Sequence, residues 1–178
     1  MPLAFIALGA NLPSLAGPPE VTLAAAVARL ADLGRVTARS SLYSTAPVGF
    51  QDQPRFVNAV AALGTSLSPL ELLGALLTIE KEFGRDRLSA IPNGPRTLDL
   101  DIVLYDDFVL CESALQIPHP RLEQRAFVLV PLSEIAPHLR DPRSGKTVSQ
   151  LSHDLPAHED SDAAVKIDSA QWTARIDS

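Results

Sequence analysis

The sequence predicts an α+β fold in which helices pack on an antiparallel β-sheet. Three observations carry this prediction. Apolar residues form short runs or alternate with polar ones at 3–9, 36–42, 56–63 and 97–105, as strands require. Two stretches between them have helical spacing and recognisable end signals. The resulting order, strand–helix–strand–strand–helix–strand, is that of the ferredoxin-like sandwich, an antiparallel sheet with helices on one face.

The first strand, residues 3–9, is an apolar run ending at Gly9. Pro18 and Pro19 open a helix with apolar positions at Val21, Leu23, Ala24, Val27, Leu30 and Leu33, and Gly34 stands where a left-handed C-terminal cap belongs. Alternation from Val36 to Leu42 gives the second strand. Residues 44–55 hold Gly49, Pro47 and Pro54 and read as an irregular link to the third strand at 56–63. Ser68-Pro69-Leu70-Glu71 combines a capping box with proline at the first helical position, predicting a helix to Phe83 that Gly84 ends. Residues 85–96 are polar, contain Pro92, Gly94 and Pro95, and read as a mobile loop. Thr97 to Tyr105 is the fourth strand; a short strand near 108–110 and a helix near 124–135 complete the core. Beyond 157 the chain is polar and patternless, so the expectation is one domain over 1–156 and a loosely ordered tail over 157–178.

With 178 residues and 46 % hydrophobic content, the chain can fill one core. It holds no run of about twenty apolar residues, and Met1 to Phe5 lack the basic flank of a secretory signal. A cytoplasmic, monomeric protein is expected, with no membrane partner. Cys111 is the only cysteine, which excludes an intramolecular disulfide and a multi-cysteine zinc site. The net charge of −6 argues against a nucleic-acid partner. Of 15 cationic side chains only Lys81, Lys146 and Lys166 are lysines. Arg85, Arg87 and Arg96 crowd one loop, and Arg121 and Arg125 follow. Such a local concentration of forked guanidinium groups suits a compact anion, above all phosphate.

The sharpest signal is Gly94-Pro95-Arg96-Thr97-Leu98-Asp99-Leu100-Asp101-Ile102-Val103-Leu104. Strand alternation puts Leu98, Leu100, Ile102 and Leu104 on an inward face, and Asp99 and Asp101 together on the other, roughly 7 Å apart. Two such carboxylates repel unless a cation lies between them, and oxygen-only ligands favour magnesium, which keeps places for water and phosphate oxygens. The same spacing also describes the polar face of an amphipathic strand; the neighbouring Arg96 weighs toward a phosphate site. Glu80 shares a helical face with Leu73, Leu76 and Leu77, where a charge is usually paired or functional. An ion pair with Arg85 or Arg87 fits its spacing equally well.

Gly94 to Asp101 resembles the signature of the 6-hydroxymethyl-7,8-dihydropterin pyrophosphokinases, the diphosphokinases of folate biosynthesis. Ala7-Leu8-Gly9-Ala10-Asn11-Leu12, Tyr43 through Asn58, Ile79 through Arg87, and Ile117-Pro118-His119-Pro120-Arg121 through Phe127 also look like segments of that family, in the right order. The likeness covers residues 3–140. It implies an ATP-dependent transferase that moves a diphosphate from ATP to the pterin alcohol and releases AMP. It implies two magnesium ions on Asp99 and Asp101, and a pterin stacked between Phe56 and Phe127 and oriented by Asn58, with Thr45, Pro47 and Val48 lining the same pocket. Glu80, Arg87, Arg96, His119 and Arg125 match ATP-contacting positions, and Arg85, Arg87 and Arg96 match the groups that stabilise the transferring phosphates. Taken singly, the phenylalanines read more readily as core, the arginines as solvated charges and His119 as a loop histidine; the joint placement of the arginines reverses that reading. No Walker A pattern is present. Pro92 and Asn93 stand before Gly94 where some relatives carry an arginine and an aromatic residue, and Ala46 replaces a common proline.

Two readings from other classes fit this sequence less well. A ferredoxin-like RNA-binding module would need aromatic-rich strands and a basic sheet, whereas this chain is acidic with 5 % aromatics. A metal-binding regulatory domain would have no use for the arginine set.

Overall fold

The computed structural model describes residues 1–86, 92–156 and 164–173. In chain order the elements are β1 (Leu3–Ala10), α1 (Pro19–Leu30), β2 (Arg35–Arg39), β3 (Leu42–Thr45), β4 (Phe56–Gly64), α2 (Pro69–Glu82), β5 (Asp99–Tyr105), β6 (Leu110–Cys111), β7 (Gln116–Ile117), α3 (Ala126–Ile135), α4 (Val148–His153), β8 (Val165–Ile167) and α5 (Ala170–Thr173). The main sheet runs β5-β1-β4-β3-β8, with β2 also paired to β4, and every pairing is antiparallel. The α+β class holds.

The predicted second strand is two strands. β2 pairs with the end of β4 and β3 with its beginning, and the break falls at Ser40-Ser41. Ser40 stays tied to β4: its N–H donates to the Val60 carbonyl at 2.9 Å and its Oγ accepts from the Val60 N–H at 3.0 Å.

Helices cover both faces of the sheet rather than one. On the first face Ala4, Ile6 and Leu8 of β1 and Val57, Ala59, Ala61 and Leu63 of β4 meet Leu23, Val27 and Leu30 of α1 and Leu72, Leu76 and Ile79 of α2. On the other, Phe5, Val60 and Ala62 pack against Val128, Leu129 and Leu132 of α3 and Val148 and Leu151 of α4. The reason lies in β1 and β4, which carry apolar or small residues at nearly every position. A strand apolar on both sides must be covered on both sides.

β5 departs from plain alternation at one residue. Ile102 pairs with Ile6 but Leu104 pairs with Phe5, so Val103 is the extra residue of a bulge. Leu98, Leu100 and Ile102 face α1 and α2 as expected, whereas Leu104 is turned to the α3 face. Phe108 and Val109 are exposed and the short strand begins only at Leu110. α3 begins at Ala126, after a 3-10 turn at Leu122–Gln124.

The capping box of α2 forms as predicted, with Glu71 N–H on Ser68 Oγ and Ser68 N–H on the Glu71 carboxylate. At the other end Gly84 has φ +82°, its N–H donates to the Lys81 carbonyl, and the Arg85 N–H donates to the Glu80 carbonyl, both at 3.0 Å. This left-handed cap aims Arg85. Gly34 is not the cap of α1, which ends at Leu30. Its hydrogen is needed because a Cβ there would lie 2.2 Å from the Gly64 carbonyl oxygen.

The expected loose tail is corrected over 164–173. β8 pairs with β3 through Leu42–Ile167, Tyr43–Lys166 and Ser44–Val165, and Trp172 is buried among the core residues. A lone tryptophan in a polar stretch was the signal; burying a large indole outweighs the polarity around it.

Candidate active site

Antiparallel register sets Asp99, Gly9, Asn58 and Tyr43 in one row across β5, β1, β4 and β3. Residues directly opposite share a face, so this row looks toward α3. Gly9 interrupts it, leaving a floor between Asn58 and Asp99. Above this floor is a cavity walled by Thr45, Phe56, Arg96, Arg125 and Phe127. Asn58 is buried and its Nδ2 donates to Thr45 Oγ1 at 2.6 Å. The amide is thereby oriented, with Oδ1 toward the floor, since a Cβ on Gly9 would sit 2.9 Å from it.

Both aspartates lie on this face, each held by guanidinium groups. Arg96 Nη1 is 2.8 Å from Asp99 Oδ2, and Arg85 Nη2 is 3.5 Å from Asp99 Oδ1. Arg125 Nη1 is 3.1 Å from Asp101 Oδ2. The same two arginines cover the two rings: Arg96 Cζ lies 5.2 Å from the Phe56 centroid and Arg125 Cζ 5.5 Å from that of Phe127. Cations on ring faces and carboxylates together keep the cavity filled with matched charge.

The other predicted residues are placed as follows. Pro47 and Val48 line a wider mouth that continues the cavity outward, with Gly49, Arg121 and Ala164. His119 lies at the edge of the arginine cluster. Burial, then the charges of Arg125, Arg121 and Arg143, push its pKa down to about 4, with Asp99 opposing them. The ring is neutral at pH 7; its Nδ1 accepts from the Arg121 N–H at 3.1 Å, so Nε2 carries the proton and can donate. Glu80 is not brought to the cavity. It is 1 % exposed on the α2 side of the sheet, where its Oε1 accepts from the Leu100 N–H at 2.8 Å. Its helical face pointed to the core, and the carboxylate ties α2 to the strand that carries the aspartates. Arg87 lies outside the described residues.

Sequence reasoning missed the residues that join the loops. Asn11, 4 % exposed, accepts from the Arg96 N–H at 2.8 Å and donates to Gln53 Oε1 at 2.9 Å and the Pro54 carbonyl at 3.0 Å. Gln53 in turn donates to the Asn93 carbonyl at 2.8 Å. The link 44–55 and the stretch before β5 are therefore one framework. Asn93 has φ +57° and lines the cavity in its own right. The position after Gly9 and Ala10 in an otherwise apolar strand was the available signal for Asn11.

The sequence model of the 7,8-dihydro-6-hydroxymethylpterin-pyrophosphokinase (HPPK) family matches residues 5–137. The chain belongs to this family. Among its relatives are 2-amino-4-hydroxy-6-hydroxymethyldihydropteridine pyrophosphokinases from Pseudomonas aeruginosa and Haemophilus influenzae. The first is 51 % identical over 83 % of this chain and 88 % of its own length, the second 46 % over 88 % and 94 %. The fold is similar to that of Plasmodium falciparum HPPK-DHPS, with a TM-score of 0.66 at 16 % identity over 86 % of this chain. That chain is longer, and this one spans 43 % of it. In this pyrophosphokinase the matched region holds the whole cavity floor and both aspartates, while α4, β8 and α5 lie beyond it.

Proposed function

We propose that this chain transfers the diphosphate of ATP to the hydroxymethyl group of 6-hydroxymethyl-7,8-dihydropterin in the cavity between Phe56 and Phe127, giving AMP and the pterin diphosphate. One observation carries the reading. A cavity lined by two phenylalanines and an oriented amide opens onto two carboxylates and three guanidinium groups. The aromatic half suits a planar heterocycle, and the charged half suits a metal-bound polyphosphate.

The pterin ring lies between Phe56 and Phe127, where Asn58 Oδ1 accepts from its amino edge. Thr45 holds the amide in that orientation, and Pro47 and Val48 form the outer wall. Among the described residues no cluster of three metal-ligating side chains occurs. An all-protein cage is therefore not what Asp99 and Asp101 form. Two carboxylates on one strand face fit magnesium, which binds through one or two carboxylates together with water and substrate phosphates. When bound there, magnesium supplies charge neutralisation at the phosphates and acidity to the substrate hydroxyl. Arg85, Arg96 and Arg125 then exchange carboxylate for phosphate oxygens, His119 donates from Nε2, and Arg87 is a further phosphate-binding charge on the family resemblance alone. The hydroxyl oxygen forms a bond to the β-phosphorus, the bond from that phosphorus to the α-phosphate oxygen breaks, AMP leaves, and the hydroxyl proton passes to solvent. Glu80 anchors β5 through the Leu100 N–H.

We also propose that the chain works as a cytoplasmic monomer; no described helix is long and apolar enough to cross a membrane. Incubation with ATP, magnesium and the reduced pterin tests the reaction. AMP formed only with the pterin alcohol, in equal amount with the pterin diphosphate, is expected. ADP with a pterin monophosphate would overturn it.

A further inference from the structure

We propose that residues 164–173 are a positioning element of the pterin pocket, with Trp172 as the residue that holds it in place. This inference rests on the pocket reading above. β3 is only four residues long, yet it ends in Thr45, the hydrogen-bond partner of Asn58. Every other wall residue from Ala46 to Val48 hangs from that end. So short a strand needs a partner on each side to hold its position to the precision that a binding site demands.

The C-terminal segment is that second partner, and it grips β3 at both ends. Upstream, Trp172 Nε1–H donates to the Ser40 carbonyl at 2.8 Å, in the break between β2 and β3. The indole is 6 % exposed, packs with the α1 face of the core, and carries the Arg39 guanidinium at 4.8 Å from its ring. Downstream, Val165 pairs with Ser44, one residue before Thr45, and Ala164 stands in the outer wall of the mouth beside Val48 and Phe127. Between the two grips Lys166 reaches Glu134 of α3 at 3.3 Å, and the same carboxylate accepts from Tyr43 Oη at 2.9 Å and from the Ser41 N–H at 3.0 Å. One α3 side chain thus joins β3 and β8 to the helix that supplies Phe127. An edge strand added only to blunt the sheet would protect an exposed ladder; it would not also contribute a wall to the cavity.

The test uses the full chain with Trp172→Phe, Trp172→Ala and Ala164→Trp, reading pterin KM, ATP KM, kcat and thermal melting. Trp172→Phe keeps a ring and loses the bond to Ser40, so pterin KM should rise about fivefold, the size of one lost hydrogen bond. Trp172→Ala should raise it on the order of tenfold or more, because displacement of β3 misplaces the wall. ATP KM and kcat should stay within about twofold in both, since Asp99, Asp101 and the arginines hang from other elements. Ala164→Trp narrows the mouth from outside the core; pterin KM should rise severalfold with an unchanged melting temperature. If Trp172→Ala does not fold, the other two variants decide. Wild-type pterin KM in both Trp172→Phe and Ala164→Trp overturns the proposal, even if Trp172→Phe melts earlier. Phe56→Ala separates the two readings: if it also leaves pterin binding intact, the pocket itself is wrongly placed.

Discussion

Two arginine–aspartate–phenylalanine sets face each other across the cavity, and they are built differently. In the first, Arg96 pairs with Asp99 and covers Phe56; in the second, Arg125 pairs with Asp101 and covers Phe127. The first set stands on strands and is held through loops, because the Arg96 backbone is clamped by Asn11 and Asp99 has Arg85 as a second partner. In the second, Asp101 shares β5 with Asp99, but Arg125 and Phe127 stand at a helix start, where the Arg125 carbonyl accepts from the Val128 and Leu129 N–H groups at 3.0 and 2.9 Å. The position of the first arginine therefore depends on two loops that also shape the cavity, and that of the second on a packed helix. The lesson is that equal chemistry on the two sides of a site can have unequal mechanical support.

The largest expected effect comes from removing either carboxylate. Asp99→Asn and Asp101→Asn should each lower kcat by on the order of 10³-fold, since the proposed magnesium site loses a charge. Repulsion between the two is already balanced by arginine. Melting in the absence of metal should therefore stay level or fall slightly, by no more than about 1 kcal/mol for partly exposed pairs. Gross unfolding in circular dichroism would make these residues structural instead.

Replacing the arginines sharpens the contrast. Arg96→Ala and Arg125→Ala should each reduce kcat/KM on the order of 10²-fold, and lysine should restore little, because its point charge lacks the fork. Only Arg125→Ala takes away the ion pair of Asp101, whereas Asp99 keeps Arg85 when Arg96 is removed. Thermal melts should accordingly fall more for Arg125→Ala. The reverse order would show that the loop-held set carries more of the stability.

A smaller effect is expected at the floor between the two sets. A methyl group on Gly9 would meet Asn58 Oδ1 at 2.9 Å and must push the amide off its bond to Thr45. Gly9→Ala should raise pterin KM about tenfold, the scale of a mild overpacking, while ATP KM stays constant. Steady-state kinetics with each substrate varied in turn would expose a change in ATP KM instead.

The smallest effect is on stability against pH. His119 is held at about 4 in the folded chain by burial and by Arg125, Arg121 and Arg143, below its ordinary 6.5. Between those values the unfolded chain binds the proton and the folded chain does not, so stability falls as pH drops from 6.5 toward 4. His119→Asn should flatten that part of a melting-temperature profile. An unchanged slope would mean the imidazole is freely solvated.

The sequence by itself determined β1, β4, α2 and the chemistry of β5. A capping box, a glycine cap and strict alternation at Leu98–Ile102 are local signals, and local backbone physics obeys them. Motif order likewise identified Phe56, Asn58, Phe127 and the arginines as one set. Only the tertiary structure decided which of these meet. Register across β5, β1 and β4 makes Gly9 the floor, and a helix on the second face makes Phe127 the roof. Glu80 was turned to the backbone of β5, and Trp172 pulled an apparently loose tail onto β3. Those outcomes depend on contacts between residues far apart in the chain, so no window of neighbouring residues contains them.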